Sequence, residues 1–225
     1  MVRKNEGSAV SGSTLSGLKW RRVDDATQWY IFIARAVPAF ALALLITFSA
    51  DHSASLGLVC LGIFGITTGI ILAISALRTL SLVVRGILLA QATVSIVVGV
   101  VSLVGLRAGL PFLVFAIAAF AVPTGFLELY LGARGRRSHP AARDHIFMGA
   151  VTVLTAVAVL IVPPEFVQNF AVPGGVTGQV TASVVVVGLL GAYWVIAAVY
   201  LVIAGLSLRW GIERTVDRSS AGSGA

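Results

Sequence analysis

The chain has 225 residues, 58% of them hydrophobic and 11% charged, with a mean hydropathy of +0.99 and a net charge of +7. Soluble domains carry about 25% charged residues, so a chain this apolar cannot clothe its surface for water and reads as a membrane protein in contact with a lipid bilayer. Its lysines and arginines fall between apolar runs rather than along one face, which argues against nucleic acid as a partner, and a lone cysteine, Cys60, excludes an internal disulfide.

Residues 1–28 mix Ser, Gly and charges with no sustained apolar period and predict a disordered basic arm. The twin arginine of "KWRRVDD" is followed by two aspartates and no small-x-small cleavage site, which argues against an export signal. Trp20, Trp29 and Tyr30 suit an interfacial anchor ahead of the first span.

Six apolar runs then follow, at about 30–50, 56–77, 84–106, 110–132, 145–163 and 182–208. Each is long enough to cross roughly 30 Å of hydrocarbon as a helix, and backbone groups that lipid leaves unsatisfied force spans of this kind to be helical. Between the fifth and sixth runs, "FVQNFAVPGGVTGQVT" is rich in Gly, Pro and amides and reads as a loop. Residues 211–225, ending in "RSSAGSGA", predict a flexible tail. The predicted fold is all-α: a polytopic bundle of six transmembrane helices over residues 29–210.

Orientation comes from the cations. Arg3, Lys4, Lys19, Arg21 and Arg22 precede the first span; Arg78 and Arg85 flank the second connection, Arg134, Arg136, Arg137 and Arg143 the fourth, and Arg209, Arg214 and Arg218 the tail. All of these segments share one side of the membrane, and the other side receives only Arg107. The positive-inside rule therefore predicts that both termini are cytoplasmic.

The second, fourth and sixth spans close on related stretches, "GIILAISALR" (69–78), "GFLELYLGAR" (125–134) and "YLVIAGLSLR" (200–209). The first two share a leading Gly, and all three a small residue eighth and Arg tenth, which predicts three helical hairpins in tandem. With "GFLELYLGARGRR" in the fourth span and "LIVPPE" (160–165) after the fifth, the chain resembles the HdeD-like acid-resistance membrane proteins over about residues 30 to 210. Unlike the family pattern, the first hairpin loop "SADHSAS" has no proline, and Pro38 is expected to interrupt the first helix instead. The resemblance implies six spans at a bacterial cytoplasmic (inner) membrane and a role in acid or envelope stress tolerance, without implying a reaction.

Small residues mark close helix packing: Gly62, Gly65 and Gly69 in the second span, Ser95 and Gly99 in the third. Packing within one chain is the expected use, and a homo-oligomer seam stays open as the other. No catalytic, cofactor or metal set emerges. The histidines His139 and His145 read as solvated loop residues beside Asp144, no i, i+4 ligand pair exists, no GxSxG or neighbouring base activates a serine, and "GLVCLGIFGITTG" lacks the Lys and Ser/Thr of a phosphate loop. A non-catalytic protein is expected, with no ligand named by the residues; the alternative is a small transporter or channel with the ionisable residues Arg35 and Glu128 near the cytoplasmic face, while Pro38 and Pro123, the candidate helix breaks, stand at different depths in their helices.

One feature within the spans demands an answering group. Glu128 stands six residues before Arg134, about 9 Å along a helix, and Arg35 five residues after Tyr30, about 7.5 Å from the same side. A lone carboxylate at that depth is costly, and a guanidinium can meet it with two hydrogen bonds, so an Arg35–Glu128 ion pair between the first and fourth helices is predicted.

Overall fold

The structure, a computed structural model, describes residues 10–79, 81–136, 141–172 and 176–222, with side chains described over 29–79, 81–136, 141–171 and 178–210. Among the described residues there are six α-helices: α1 (Val10–Phe48), α2 (Ala54–Arg78), α3 (Leu82–Val104), α4 (Gly109–Gly135), α5 (Ala142–Ile161) and α6 (Ala182–Gly222). All six contain a stretch long and apolar enough to cross a membrane, at Trp29–Phe48, Ala54–Arg78, Leu82–Val104, Gly109–Gly135, Ala142–Ile161 and Ala182–Trp210. The protein is an all-α, multi-pass membrane bundle.

Helix ends differ from the apolar runs for a simple reason: flanking Arg, Asp and His continue the helix beyond the hydrocarbon. α5 thus begins at Ala142 rather than at residue 145, and the backbone of α1 is helical from Val10 and that of α6 as far as Gly222. Those two extensions cover much of the segments expected to be a disordered arm and a flexible tail; they contain no proline to stop a helix. Residues 1–9 and 223–225 lie outside the described residues. Pro38 does not interrupt α1, nor Pro123 α4. Neighbouring helices support the freed backbone groups of such prolines inside a bundle. At the start of α2, the Ser53 hydroxyl accepts from Leu56 N–H and Asp51 holds Ser53, which caps the helix at the "DHSAS" turn.

The expected loop before α6 is partly a strand pair. β1 (Val167–Val172) and β2 (Val176–Thr181) form an antiparallel hairpin in register Val167↔Thr181 through Val172↔Val176. The amides and glycines conceal seven β-formers, Val167, Phe170, Val172, Val176, Thr177, Val180 and Thr181, and the Phe170 ring covers the bare Gly178 opposite it. The Ala182 amide donates to the Phe166 carbonyl at 2.9 Å, so the hairpin closes directly onto α6.

Helices α2, α4 and α6 meet one another at the centre, and α1, α3 and α5 each pack between two of them. Phe64 of α2 contacts Phe120 of α4 and Tyr193 and Trp194 of α6, with ring centroids 5.4–6.3 Å apart. Such pairs contribute about 0.5–1.5 kcal/mol each beyond their buried area. The void beside this cluster is about 10 Å³, at the lower edge of what one water needs and far below any solute.

The most extensive contacts are not those of the expected hairpins. They join α2 to α3, α4 to α5 and α6 to α1, so the packing units are offset by one helix from the tandem order. The internal repeat has a corrected register too. Gly69, Gly132 and Gly205 occupy one position: a Cβ on each would meet Ile96, Ile146 and Ile33 and the carbonyls of Ala92, Ala142 and Trp29 respectively. Gly69 therefore corresponds to Gly132, not to Gly125. A match aligned on the arginines misses this, because they end the helices at different distances beyond the packing glycine.

Candidate functional site

The end of the bundle carrying Arg78, Arg85, Arg134, Arg136, Arg143 and Arg209 holds the deep charges. Glu128 sits on the inner face of α4, seven residues before its end, or about 10 Å into the bundle. Arg35 lies six residues into the span of α1, and His145 three residues into α5. Arg35 Nη2 is 2.7 Å from Glu128 Oε1, which is the predicted ion pair. His145 Nδ1 is 3.2 Å from the other oxygen, Oε2. An ionised carboxylate only accepts, so Nδ1 carries the hydrogen in this contact. Only 4% of the Glu128 side chain and 11% of that of Arg35 is exposed, so this is a desolvated cluster rather than a surface bridge.

His145 is the residue that sequence reasoning misplaced. It is a half-buried helical residue against Glu128, with the Phe32 ring 5.6 Å from its own, not a solvated loop histidine. The available signal was spacing: His145 precedes Gly149 by one helical turn, and Glu128 follows Gly125 by nearly one. His139 lies outside the described residues.

Counting from the equivalent glycines, the positions of Glu128 and His145 are taken by Gly65 and Ser95 in the α2–α3 unit and by Leu201 and Phe32 in the α6–α1 unit. Glu128 and His145 thus break the repeat in the α4–α5 unit, and Arg35, whose equivalents are Val98 and Met148, breaks it in the α6–α1 unit. They also bridge units: Arg35 comes from α6–α1, Glu128 and His145 from α4–α5. Other polar ties also cross between units. Tyr200 of α6 donates to Asp144 of α5 at 2.8 Å, the hydroxyls of Tyr193 and Thr152 are 3.2 Å apart, and Arg78 of α2 donates to Tyr30 of α1 at 2.6 Å. Trp29 and Tyr30 each lie under a guanidinium, from Arg209 and Arg78, as befits residues at a membrane boundary.

Inside a unit, packing takes over from polarity. The five predicted packing residues meet in the α2–α3 seam, where a Cβ on Gly65 would lie 2.6 Å from the Ser95 carbonyl and one on Gly99 2.8 Å from the Gly62 carbonyl. These faces are spent within the chain and are not available to a second copy. Among the described residues no three His, Cys, Asp or Glu side chains converge as metal ligands would. No protein-family model matches the chain, and neither a curated protein nor a solved structure does.

Proposed function

We propose that the chain is a non-catalytic protein of a bacterial cytoplasmic membrane, with both termini in the cytoplasm, serving tolerance of acid or envelope stress. The observation that carries this reading is the Arg35–Glu128–His145 cluster. Both carboxylate oxygens are engaged, so Glu128, the one acid deep within the spans among the described residues, acts as a strut between helices and is not a free carboxylate for coupled transport. The aromatic centre adds to this, since its void is too small for a solute. The stress role rests on the resemblance of "GFLELYLGARGRR" and the helices around it to the HdeD-like proteins. A strain lacking the gene should lose survival under acid challenge and regain it when the gene is restored; equal survival with and without the gene would overturn the reading.

A small transporter or channel is the second reading, favoured by unpartnered oxygens at mid-depth on α2 and α3 beside the Pro123 segment of α4. Purified protein in sealed vesicles separates the two, because a transporter carries a solute or ion flux and a strut does not. Orientation is checked separately. In a Cys60→Ala background, cysteines at Ser53 and Gln168 should react with an impermeant thiol reagent from outside, and one at Ser138 should not. Outside labelling at Ser138 would reverse the assigned sidedness.

A further inference from the structure

Hydroxyl side chains within spanning helices ordinarily turn back and donate to the carbonyl four residues earlier. Four buried ones do so here: Ser75, Ser102, Thr124 and Thr152. Thr68 and Ser95 do not. Their hydroxyl oxygens are buried, with no hydrogen-bond partner among the described residues. A third oxygen shares that condition. Gln91, 1% exposed, donates through Nε2 to the Thr124 carbonyl at 3.2 Å, which fixes the amide orientation and leaves Oε1 to accept from something else.

These three groups border one seam. Gln91 and Ser95 stand one turn apart on the same face of α3. Thr68 is three residues beyond Gly65, whose Cβ position touches the Ser95 carbonyl, and α4 enters through the Gln91–Thr124 bond. Counted from the arginine-rich end, they lie nine to thirteen residues along their helices, about 14–20 Å deep, which is the middle of the membrane.

We propose that the α2–α3–α4 seam binds ordered water at mid-depth, held by Thr68 Oγ1, Gln91 Oε1 and Ser95 Oγ. A water molecule donates to the amide oxygen and accepts from the hydroxyls, which satisfies all three with the two to four polar partners a buried water requires. A cation would find the same oxygens but no negative charge. The nearest carboxylate on α4, Glu128, is one turn away and committed to Arg35 and His145, and a bare charge at the bilayer centre costs far more than ordering a water. The site stands independently of the stress-tolerance reading.

Removing an orphaned hydroxyl from a dry seam stabilises a protein, whereas removing one bound to water destabilises it, so the sign of the change decides the matter. The variants are Ser95→Ala, Thr68→Val and the pair, in the full-length protein in detergent or bilayer, with lipid-facing Thr93→Val as reference. Each single variant is expected to melt about 2–4 °C lower, with the double variant falling by less than the sum because one site is shared. An unchanged or raised melting temperature in the single variants would overturn the site, and so would strictly additive losses. Melting is measured in sodium and in choline chloride; a sodium-specific stabilisation abolished by Ser95→Ala would assign the oxygens to a cation and overturn water as the occupant.

Discussion

Replacing Arg35 with methionine is expected to cost about 3–5 kcal/mol of stability, on the order of 10 °C in melting temperature, and to be the most damaging single polar change in the bundle. The Arg35 guanidinium meets Glu128 at 2.7 Å in a desolvated site, and without it the carboxylate keeps only the longer contact to His145. Glu128→Gln should cost less, because the amide oxygen still accepts from Arg35 and because the long arginine can move its charge toward the nearby interface. The double variant should therefore lose less than the two singles together, by at least about 1 kcal/mol. Coupling below about 0.5 kcal/mol would show that the two groups act separately. The same Glu128→Gln variant tests the biology: if it melts lower but survives acid as the native protein does, the carboxylate is architecture and not a sensor.

The second large effect concerns α4 against α5. A Cβ on Gly149 would lie 2.7 Å from the Gly125 carbonyl oxygen and 2.7 Å from the Leu129 nitrogen, both backbone atoms that cannot turn aside. Gly149→Ala gains about 1 kcal/mol of helix propensity but must push the two helices apart, for a cost of about 1–3 kcal/mol from overpacking, so it is expected to be net destabilising. Gly149→Leu should prevent accumulation of folded protein. Gly86 is the internal control, because a Cβ there meets nothing within 4 Å and Gly86→Ala should hold or raise the melting temperature. Thermal melts of purified Gly149→Ala and Gly86→Ala, together with the yield of folded Gly149→Leu, check this; if Gly149→Leu accumulated and folded as well as Gly86→Ala, close α4–α5 packing would be refuted.

The Arg35–Glu128 pair was legible because it depends on one dimension only. Depth follows from residue counts along a helix, and two opposite charges at equal depth in lipid are driven together by the cost of leaving either alone. His145 obeys the same physics but escaped, because the first two turns of α5 carry Arg143 and Asp144 and a charge-free run cannot show where such a helix begins. The hairpin of β1 and β2 escaped for a related reason. Its valines are interleaved with glycines and amides that elsewhere mark loops, and only the cross-strand partner reveals that Phe170 covers Gly178.

By itself, the sequence determined that six helices cross the membrane, roughly where each one lies, which ends carry the cations, and at what depth the charges stand. All of these follow from the transfer of apolar and charged groups along a single axis, which is additive over residues and so can be read in order. Only the tertiary structure decided that α2 packs on α3, α4 on α5 and α6 on α1, that Gly69 corresponds to Gly132 and Gly205, and which polar groups besides Arg35 and Glu128 meet between units. In lipid a helix is apolar on every side, so periodicity does not say which face meets which neighbour. That choice is made by shape, where a glycine of one helix admits the backbone of another, and shape complementarity exists only between surfaces already placed side by side.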